Sequence, residues 1–255
     1  MTTNTFYDSF CRLSESAMKS LIFALTALTF ISASPVYAED RFGVLRCGPA
    51  AEKTDEAGVL EKVERNYGTL STLAARFLQE SYFFGSDDRQ QSAGLVSFER
   101  PGKMDWLYGA PDEQRFTSDG KTIWWYQPQQ NQVVIRTIAQ SFTSDVPVSF
   151  LLGVGKLREN FKFAAKCAND AGLLLRLAPL KTSSSLETFY LLVSPKDFSP
   201  LGARIADANG NETSILFEDR TLNGPVDAKR FYFDIPKGTD IIDEREKPAR
   251  ESEVG

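Results

Sequence analysis

Histidine is absent from this chain of 255 residues, and its absence excludes several kinds of active site. A Ser-His-Asp triad, a histidine general base and histidine metal ligands are all ruled out. The stretch GVGK at 153–156 lacks the flanking Gly and Ser/Thr of a phosphate-binding loop, and paired acidic residues fall at turns or strand ends. No motif in the sequence therefore nominates a catalytic or metal site, although a Ser-Lys pair remains open.

An excess of positive charge is also lacking. The chain has 29 Lys and Arg against 34 Asp and Glu, which gives a formal net charge of −5. Proteins that bind nucleic acid usually carry a basic surface that meets the phosphates. The charge balance argues against nucleic acid as a partner.

The longest apolar run is too short to cross a membrane comfortably. It covers Leu21 to Ile31, follows Lys19, and precedes the small-residue sequence Val36-Tyr37-Ala38. This order is typical of a secretory signal peptide cleaved after Ala38. We expect residues 1–38 to be a signal peptide with an upstream extension, and the mature protein to be soluble and exported.

Cysteine is scarce, with three in the chain. Cys11 lies in the segment expected to be removed, which leaves Cys47 and Cys167. In an oxidising compartment such a pair is normally a disulfide, although two separate thiols are the alternative. Arg46 and the distance from the apolar run argue against Cys47 as a lipidation site.

Alternating apolar residues predict a mostly β protein. Thr54 and Gly68 are the predicted cap residues of a helix with an apolar stripe of Leu60, Val63 and Tyr67. Turn signals such as Asp119-Gly120 then separate short strands, which indicates an antiparallel sheet curled toward a barrel. The predicted strands are 73–84, 92–99, 103–108, 114–117, 122–126, 132–139, 161–167, 173–178, 187–193, 202–206, 212–219 and 229–235.

Two other segments differ from this pattern. Residues 145–157 form a short segment that is apolar nearly all round, and it is either a plug at a barrel end or a lid that moves. Residues 243–255 are charged and poor in apolar residues, which is typical of a disordered tail.

Several strands are apolar on both faces. In a sheet with one face exposed to water, apolar and polar residues should alternate more strictly. Either both faces are therefore covered, or one concave face lines a cavity for an apolar ligand. Arg100 poses a related question, because it falls in phase with Val96, Phe98, Met104, Trp106 and Tyr108. An arginine on an apolar face needs several hydrogen-bond acceptors, and the carbonyls at a helix C-terminus are unsatisfied ones.

A set of motifs in order resembles the LolA family of periplasmic lipoprotein carriers. They are FLQ (77–79), RPGKMDWLY (100–108), SDGKTIWWYQP (118–128), QVV (132–134) and PVSFLLG (147–153). The resemblance runs over 52–242, after an N-terminal segment at 39–51. It implies an incomplete antiparallel β-barrel covered by a helical lid, with an apolar cavity that holds lipoprotein acyl chains. It also implies a protein that is not an enzyme and uses no cofactor or metal.

The resemblance also implies roles for particular residues. Arg100 corresponds to the arginine that hydrogen-bonds carbonyls of the lid helices and keeps the empty cavity shut, whereas a salt bridge to a buried carboxylate is the alternative. The predicted cavity and lid residues are Phe98, Met104, Trp106, Trp124, Trp125, Phe150, Leu151 and Leu152.

The implied partners are acylated lipoproteins, an inner-membrane ABC transporter that releases them, and an outer-membrane acceptor similar to LolB. A monomer is expected. A sensor or binding module for lipoproteins or glycolipids on the same fold is the alternative function, and an acyl hydrolase is disfavoured by the missing histidine.

Overall fold

The computed structural model describes residues 40–48, 58–141, 156–181 and 184–245. The predicted lid or plug at 145–157 therefore lies outside the described residues, except for its last two positions. Thr54 and residues 246–255 also lie outside them.

Helix α1 begins later than predicted. It covers Val59–Gly68, with Gly58 in a left-handed conformation at its N-cap. Thr54 is therefore not the N-cap; Gly58 can adopt the positive φ found there without a steric penalty. The predicted stripe is confirmed, because Leu60, Val63 and Tyr67 are all buried. Two short helices follow, α2 at Ile138–Ser141 and α3 at Leu157–Asn160.

The strands form a sheet of twelve. Their bounds are β1 Thr72–Phe83, β2 Asp88–Glu99, β3 Lys103–Tyr108, β4 Arg115–Asp119, β5 Thr122–Gln127, β6 Gln132–Thr137, β7 Phe161–Ala168, β8 Leu173–Pro179, β9 Thr188–Val193, β10 Pro200–Ala206, β11 Glu212–Leu222 and β12 Asp240–Asp243. The order across the sheet is β12-β6-β5-β4-β3-β2-β1-β11-β10-β9-β8-β7. The predicted fold class is confirmed as a mostly β protein with an open, curved sheet, and the two ends of the sheet do not join.

One strand was predicted in the wrong place. Residues 229–235 are not a strand; a 3-10 helix covers Ala228–Phe231, and the side chain of Asp227 accepts a hydrogen bond from the Lys229 N–H at its start. The twelfth strand is instead β12, which pairs with β6 in parallel. The chain remains ordered past 242, since the Glu244 N–H donates to the Ile135 carbonyl.

The two faces of the sheet are covered differently. The face that carries Phe77, Trp106 and Phe189, called here the cavity face, packs against α1 and Leu157 in the larger core cluster. The outer face of β8–β11 is covered by the N-terminal segment 41–47, whose Phe42 and Leu45 pack against Leu174 and Leu192. Strands that are apolar on both faces indicated either two covered faces or one face that lines a cavity. Both interpretations apply, each to a different part of the sheet.

A disulfide and an ion pair attach the segments before α1 and after β11 to the outer face of the sheet. Cys47 and Cys167 form a disulfide with their Cα atoms 5.8 Å apart. The segment after β11 is attached by an ion pair: the Arg230 guanidinium lies 3.4 Å from the buried carboxylate of Asp105 in β3. The same carboxylate accepts from Arg115 at 2.7 Å. The segment after β11 is thus held against β3.

Candidate functional site

Alternate residues of neighbouring strands line a cavity of about 450 Å³. Its wall on one side comes from β3 to β6, and on the other from β1, β10 and β11. The lining residues are Gln79, Met104, Trp106, Tyr108, Phe116, Ile123, Trp125, Val134, Arg136, Ser185, Ile205, Asp207, Asn211, Thr213 and Ile215. Apolar side chains make up most of this wall, which is typical of a site for an apolar ligand.

Aromatic rings give the cavity its shape. Phe77 contacts Trp106 and Tyr108 edge-on, with ring centroids 5.0 and 4.9 Å apart. Phe116 and Trp125 stack at 5.4 Å on the neighbouring strands. Gly94 lies opposite both Phe77 and Tyr108 in the strand register, and a Cβ there would lie 2.7 Å from the Phe77 ring. Glycine at this position therefore leaves room for the ring.

The indole of Trp106 has an unused polar group. Its N–H is buried and makes no hydrogen bond within the described part of the chain. A buried donor without an acceptor destabilises the folded state. Although Trp106 lines the cavity, its Nε1 atom has almost no accessible surface, so a bound molecule would reach this N–H only if neighbouring side chains moved.

One end of the cavity is polar. The Tyr108 hydroxyl donates to the Gln79 side-chain oxygen at 2.8 Å, and the Trp125 indole N–H donates to the Gln114 side-chain oxygen at 2.8 Å. Burial raises the pKa of Tyr108 to about 12, although its hydrogen bond with Gln79 opposes the shift. Tyr108 is thus a neutral donor at any physiological pH.

Arg100 lies at the C-terminus of α1. Its Nη1 donates to the Tyr67 carbonyl at 2.6 Å, and its guanidinium carbon lies 4.0 Å from the centroid of the Tyr67 ring. Tyr67 is in the last turn of the helix, and its carbonyl also accepts from the Leu70 N–H at 3.1 Å. Burial also raises the pKa of Tyr67, while the nearby Arg100 lowers it.

The predicted cavity residues have different positions. Met104, Trp106 and Trp125 line the cavity. Phe98 faces the same way but is 2% exposed and packs against Trp106 in the core, and it is not among the lining residues. Trp124 is on the outer face, because adjacent residues of a strand point to opposite sides and Trp125 points inward. Phe150, Leu151 and Leu152 lie outside the described residues.

Several lining residues were not predicted from the sequence. Phe116 and Ile123 have the same alternation as Trp125, so the strand pattern contained the signal that would have identified them. Ile205 and Ile215 had no such signal. They approach β1 only because β1 pairs with β11, and that pairing joins residues far apart in the chain.

No group of three or more His, Cys, Asp or Glu within the described ranges is arranged to hold a metal ion. None of the helices in the part of the chain that the structure describes is both long and apolar enough to span a membrane.

An open sheet with an apolar, aromatic-lined cavity defines a protein that binds apolar ligands. Residues 68–234 match the family model described as outer membrane lipoprotein carrier protein LolA. The chain belongs to the LolA family, as its motifs predicted.

Individual relatives agree with this assignment. The outer-membrane lipoprotein carrier protein of Azotobacter vinelandii is 36% identical over 68% of this chain and 82% of its own. Those of Pseudomonas syringae pv. tomato and Pseudomonas paraeruginosa are 32% and 30% identical, over 86% and 78% of this chain and 96% and 95% of theirs. A LolA superfamily protein of Nitrosomonas europaea with a solved structure is 12% identical, with a TM-score of 0.40 over 69% of this chain and 97% of that one.

Proposed function

We propose that this protein is a periplasmic chaperone that binds the acyl chains of lipoproteins released from the inner membrane and carries them to the outer membrane. The observation that supports it most directly is the aromatic-lined cavity on a LolA-family sheet. The proposed partners are acylated lipoproteins, an ABC transporter that releases them and an outer-membrane acceptor similar to LolB.

The cavity suits reversible binding of acyl chains. Each buried methylene contributes about 0.8 kcal/mol, so part of one chain gives useful affinity without irreversible insertion. We further propose that side chains around Trp106 move on binding and let its buried N–H donate to the ester or amide carbonyl at which a chain begins.

The proposed role of Arg100 is to favour the empty, closed state. Its hydrogen bond to the Tyr67 carbonyl attaches the strand end to the C-terminus of helix α1. Acyl chains entering the cavity would separate these groups, and reclosing would then help to expel the ligand.

No step of this function requires a covalent reaction. The protein would be a carrier and not an enzyme, because holding and releasing the acyl chains is sufficient for transport.

An assay with one purified triacylated lipoprotein tests the proposal. Membrane vesicles that contain the lipoprotein and its ABC transporter are incubated with the protein, and then with acceptor outer membranes. We expect a soluble complex of the two proteins, followed by transfer of intact lipoprotein. A complex that never releases its lipoprotein would instead support a sensor, cleavage of the lipoprotein would support a hydrolase, and the absence of any complex would contradict acyl-chain binding.

A further inference from the structure

A polar cleft of about 280 Å³ adjoins the apolar cavity. Gln79 and Tyr108 line both, so the two spaces meet at these side chains. Beyond them, the cleft is lined by Ser92, Gln114, Gln127 and Gln129, among others. The inner surface of the sheet thus changes from aromatic to amide side chains along the strands.

The aromatic residues at the boundary orient the first glutamines. Tyr108 and Trp125 donate to the side-chain oxygens of Gln79 and Gln114. A glutamine whose oxygen accepts from an aromatic donor turns its NH₂ group elsewhere. Within the described residues, the Gln114 NH₂ makes no hydrogen bond, so two donors remain for a ligand.

A second glutamine is arranged in a similar way. The side-chain oxygen of Gln127 accepts from Gln132 at 3.2 Å, and its own NH₂ has no acceptor among the described residues. Gln127 and Gln114 both line the cleft. Their amides provide donors at positions where an extended ligand would pass.

The charge of the cleft selects against anions. The charged side chains that line it, Asp112 and Glu113, are both acidic. A phosphate placed beside them would be repelled, and solvent moderates this repulsion because both carboxylates are exposed. A neutral ligand rich in carbonyls and N–H groups fits the donors and acceptors present.

We propose that the cleft binds the peptide that immediately follows the acylated residue of a lipoprotein, while its acyl chains occupy the cavity. This inference rests on the proposed function. It adds that backbone carbonyls of the peptide accept from Gln114 and Gln127, and that the acidic pair discriminates against phospholipids with the same acyl chains.

The test compares three probes with matched chains. They are a synthetic triacylated lipopeptide with a neutral four-residue peptide, a diacylglycerol, and phosphatidylglycerol. Gln114→Glu keeps an oxygen for Trp125 but replaces the NH₂ donors with a negative charge. We expect it to weaken lipopeptide binding about tenfold, the effect of roughly one lost hydrogen bond, and to leave diacylglycerol binding unchanged. Gln127→Glu should act in the same direction.

The control adds the same charge elsewhere. Ala171→Glu adds a carboxylate in the exposed turn between β7 and β8, which lines neither the cavity nor the cleft, and should change neither affinity. In the wild-type protein, phosphatidylglycerol should bind more weakly than diacylglycerol, and Asp112→Asn with Glu113→Gln should reduce that difference.

The outcomes separate the two proposals. Equal lipopeptide affinity for the wild type and both glutamine variants would overturn the peptide cleft, while the carrier function would stand. Tighter binding of phosphatidylglycerol than of lipopeptide would show that the cleft accepts a phosphate headgroup, and would also overturn it. If none of the three probes binds the wild type, the carrier function itself is wrong.

Discussion

At the scale of single residues, two polar groups lie where apolar packing would be more stable. Arg100 is half-buried against the C-terminus of α1, and the Trp106 N–H is buried in the cavity wall without an acceptor in the described part of the chain. Unsatisfied or charged groups of this kind destabilise the folded state. Their presence is explained most simply if each acts in ligand binding or release.

Replacing Arg100 should separate binding from release. Arg100→Leu removes the hydrogen bond to the Tyr67 carbonyl and the contact with its ring, and such bonds from a charged donor contribute about 1.5–3 kcal/mol each to a closed state. We expect the variant to accept lipoprotein and release it poorly, so that the complex accumulates and can be isolated from the periplasm.

Arg100→Lys is the matched control, since it keeps the charge but offers a single donor group. It should release lipoprotein at an intermediate rate. If the Leu variant folds and transfers lipoprotein normally, Arg100 does not control release. If it unfolds at a lower denaturant concentration and binds little, the residue is structural.

Trp106→Phe should reduce affinity while changing stability little. The change keeps an aromatic ring in the cluster with Phe77 but removes the unpaired N–H. The free energy of unfolding should not fall by more than about 1 kcal/mol, because the loss of a buried orphan donor offsets the lost ring volume. Affinity for a triacylated lipopeptide should fall about tenfold, measured by probe displacement. An unchanged affinity would mean that the N–H does not contact the ligand.

At the scale of elements, the sequence predicts strands better than their partners. Eleven of the predicted strands overlap observed ones, because alternation and turn residues such as Asp119-Gly120 are local signals. The exception at 229–235 has alternating aromatics, but there Asp227 favours a 3-10 turn and Phe231 is buried against the outer face. The strand β12 was missed because Ile241 and Ile242 remain exposed, so backbone pairing with β6 defines it and not an apolar pattern.

The site was predictable to a similar extent. Alternation and resemblance predict Met104, Trp106 and Trp125 as lining residues. Alternation alone cannot tell which face is concave, and for this reason Trp124 was also predicted to face the cavity, although it is on the outer face. The lining from β10 and β11 depends on the distant pairing of β1 with β11, which no local pattern specifies.

The N-terminal segment should stabilise the protein without affecting the ligand. Its disulfide closes a loop across 120 positions of the sequence, and its Leu45 is fully buried on the outer face. Replacing Cys47 and Cys167 by serine should lower the free energy of unfolding by about 2–4 kcal/mol, measured by urea denaturation. Leu45→Ala should lower it by about 2–5 kcal/mol.

Lipopeptide affinity should be unchanged in both variants at temperatures where they are folded, since the cavity is on the other face. Adding a thiol reductant should lower the free energy of unfolding of the wild type and leave that of the serine variant unchanged. Equal stability of wild type and serine variant would contradict a structural role for the disulfide.

At the scale of the whole molecule, the cavity belongs to both halves of the sheet. β3–β6 supply one wall and β10–β11 the other, and β1 and β2 join them in the middle of the strand order. A substitution that fills the cavity from either half should therefore block the same ligand.

Ile205→Trp and Met104→Trp test this directly, one from each wall. Each places a larger ring in the space that acyl chains would occupy, and excluding two methylenes costs about 1.6 kcal/mol, or more than a tenfold loss of affinity. The measurement is binding of a fluorescent apolar probe and its displacement by lipopeptide. Leu95→Trp on the outer face of β2, where Leu95 is 46% exposed, is the matched control and should bind normally. Because Ile205 is only partly buried, its variant should keep the fold, whereas Met104 is 4% exposed and requires a parallel thermal melt. If the Ile205 variant is folded and still binds with wild-type affinity, the acyl chains do not lie between the two walls.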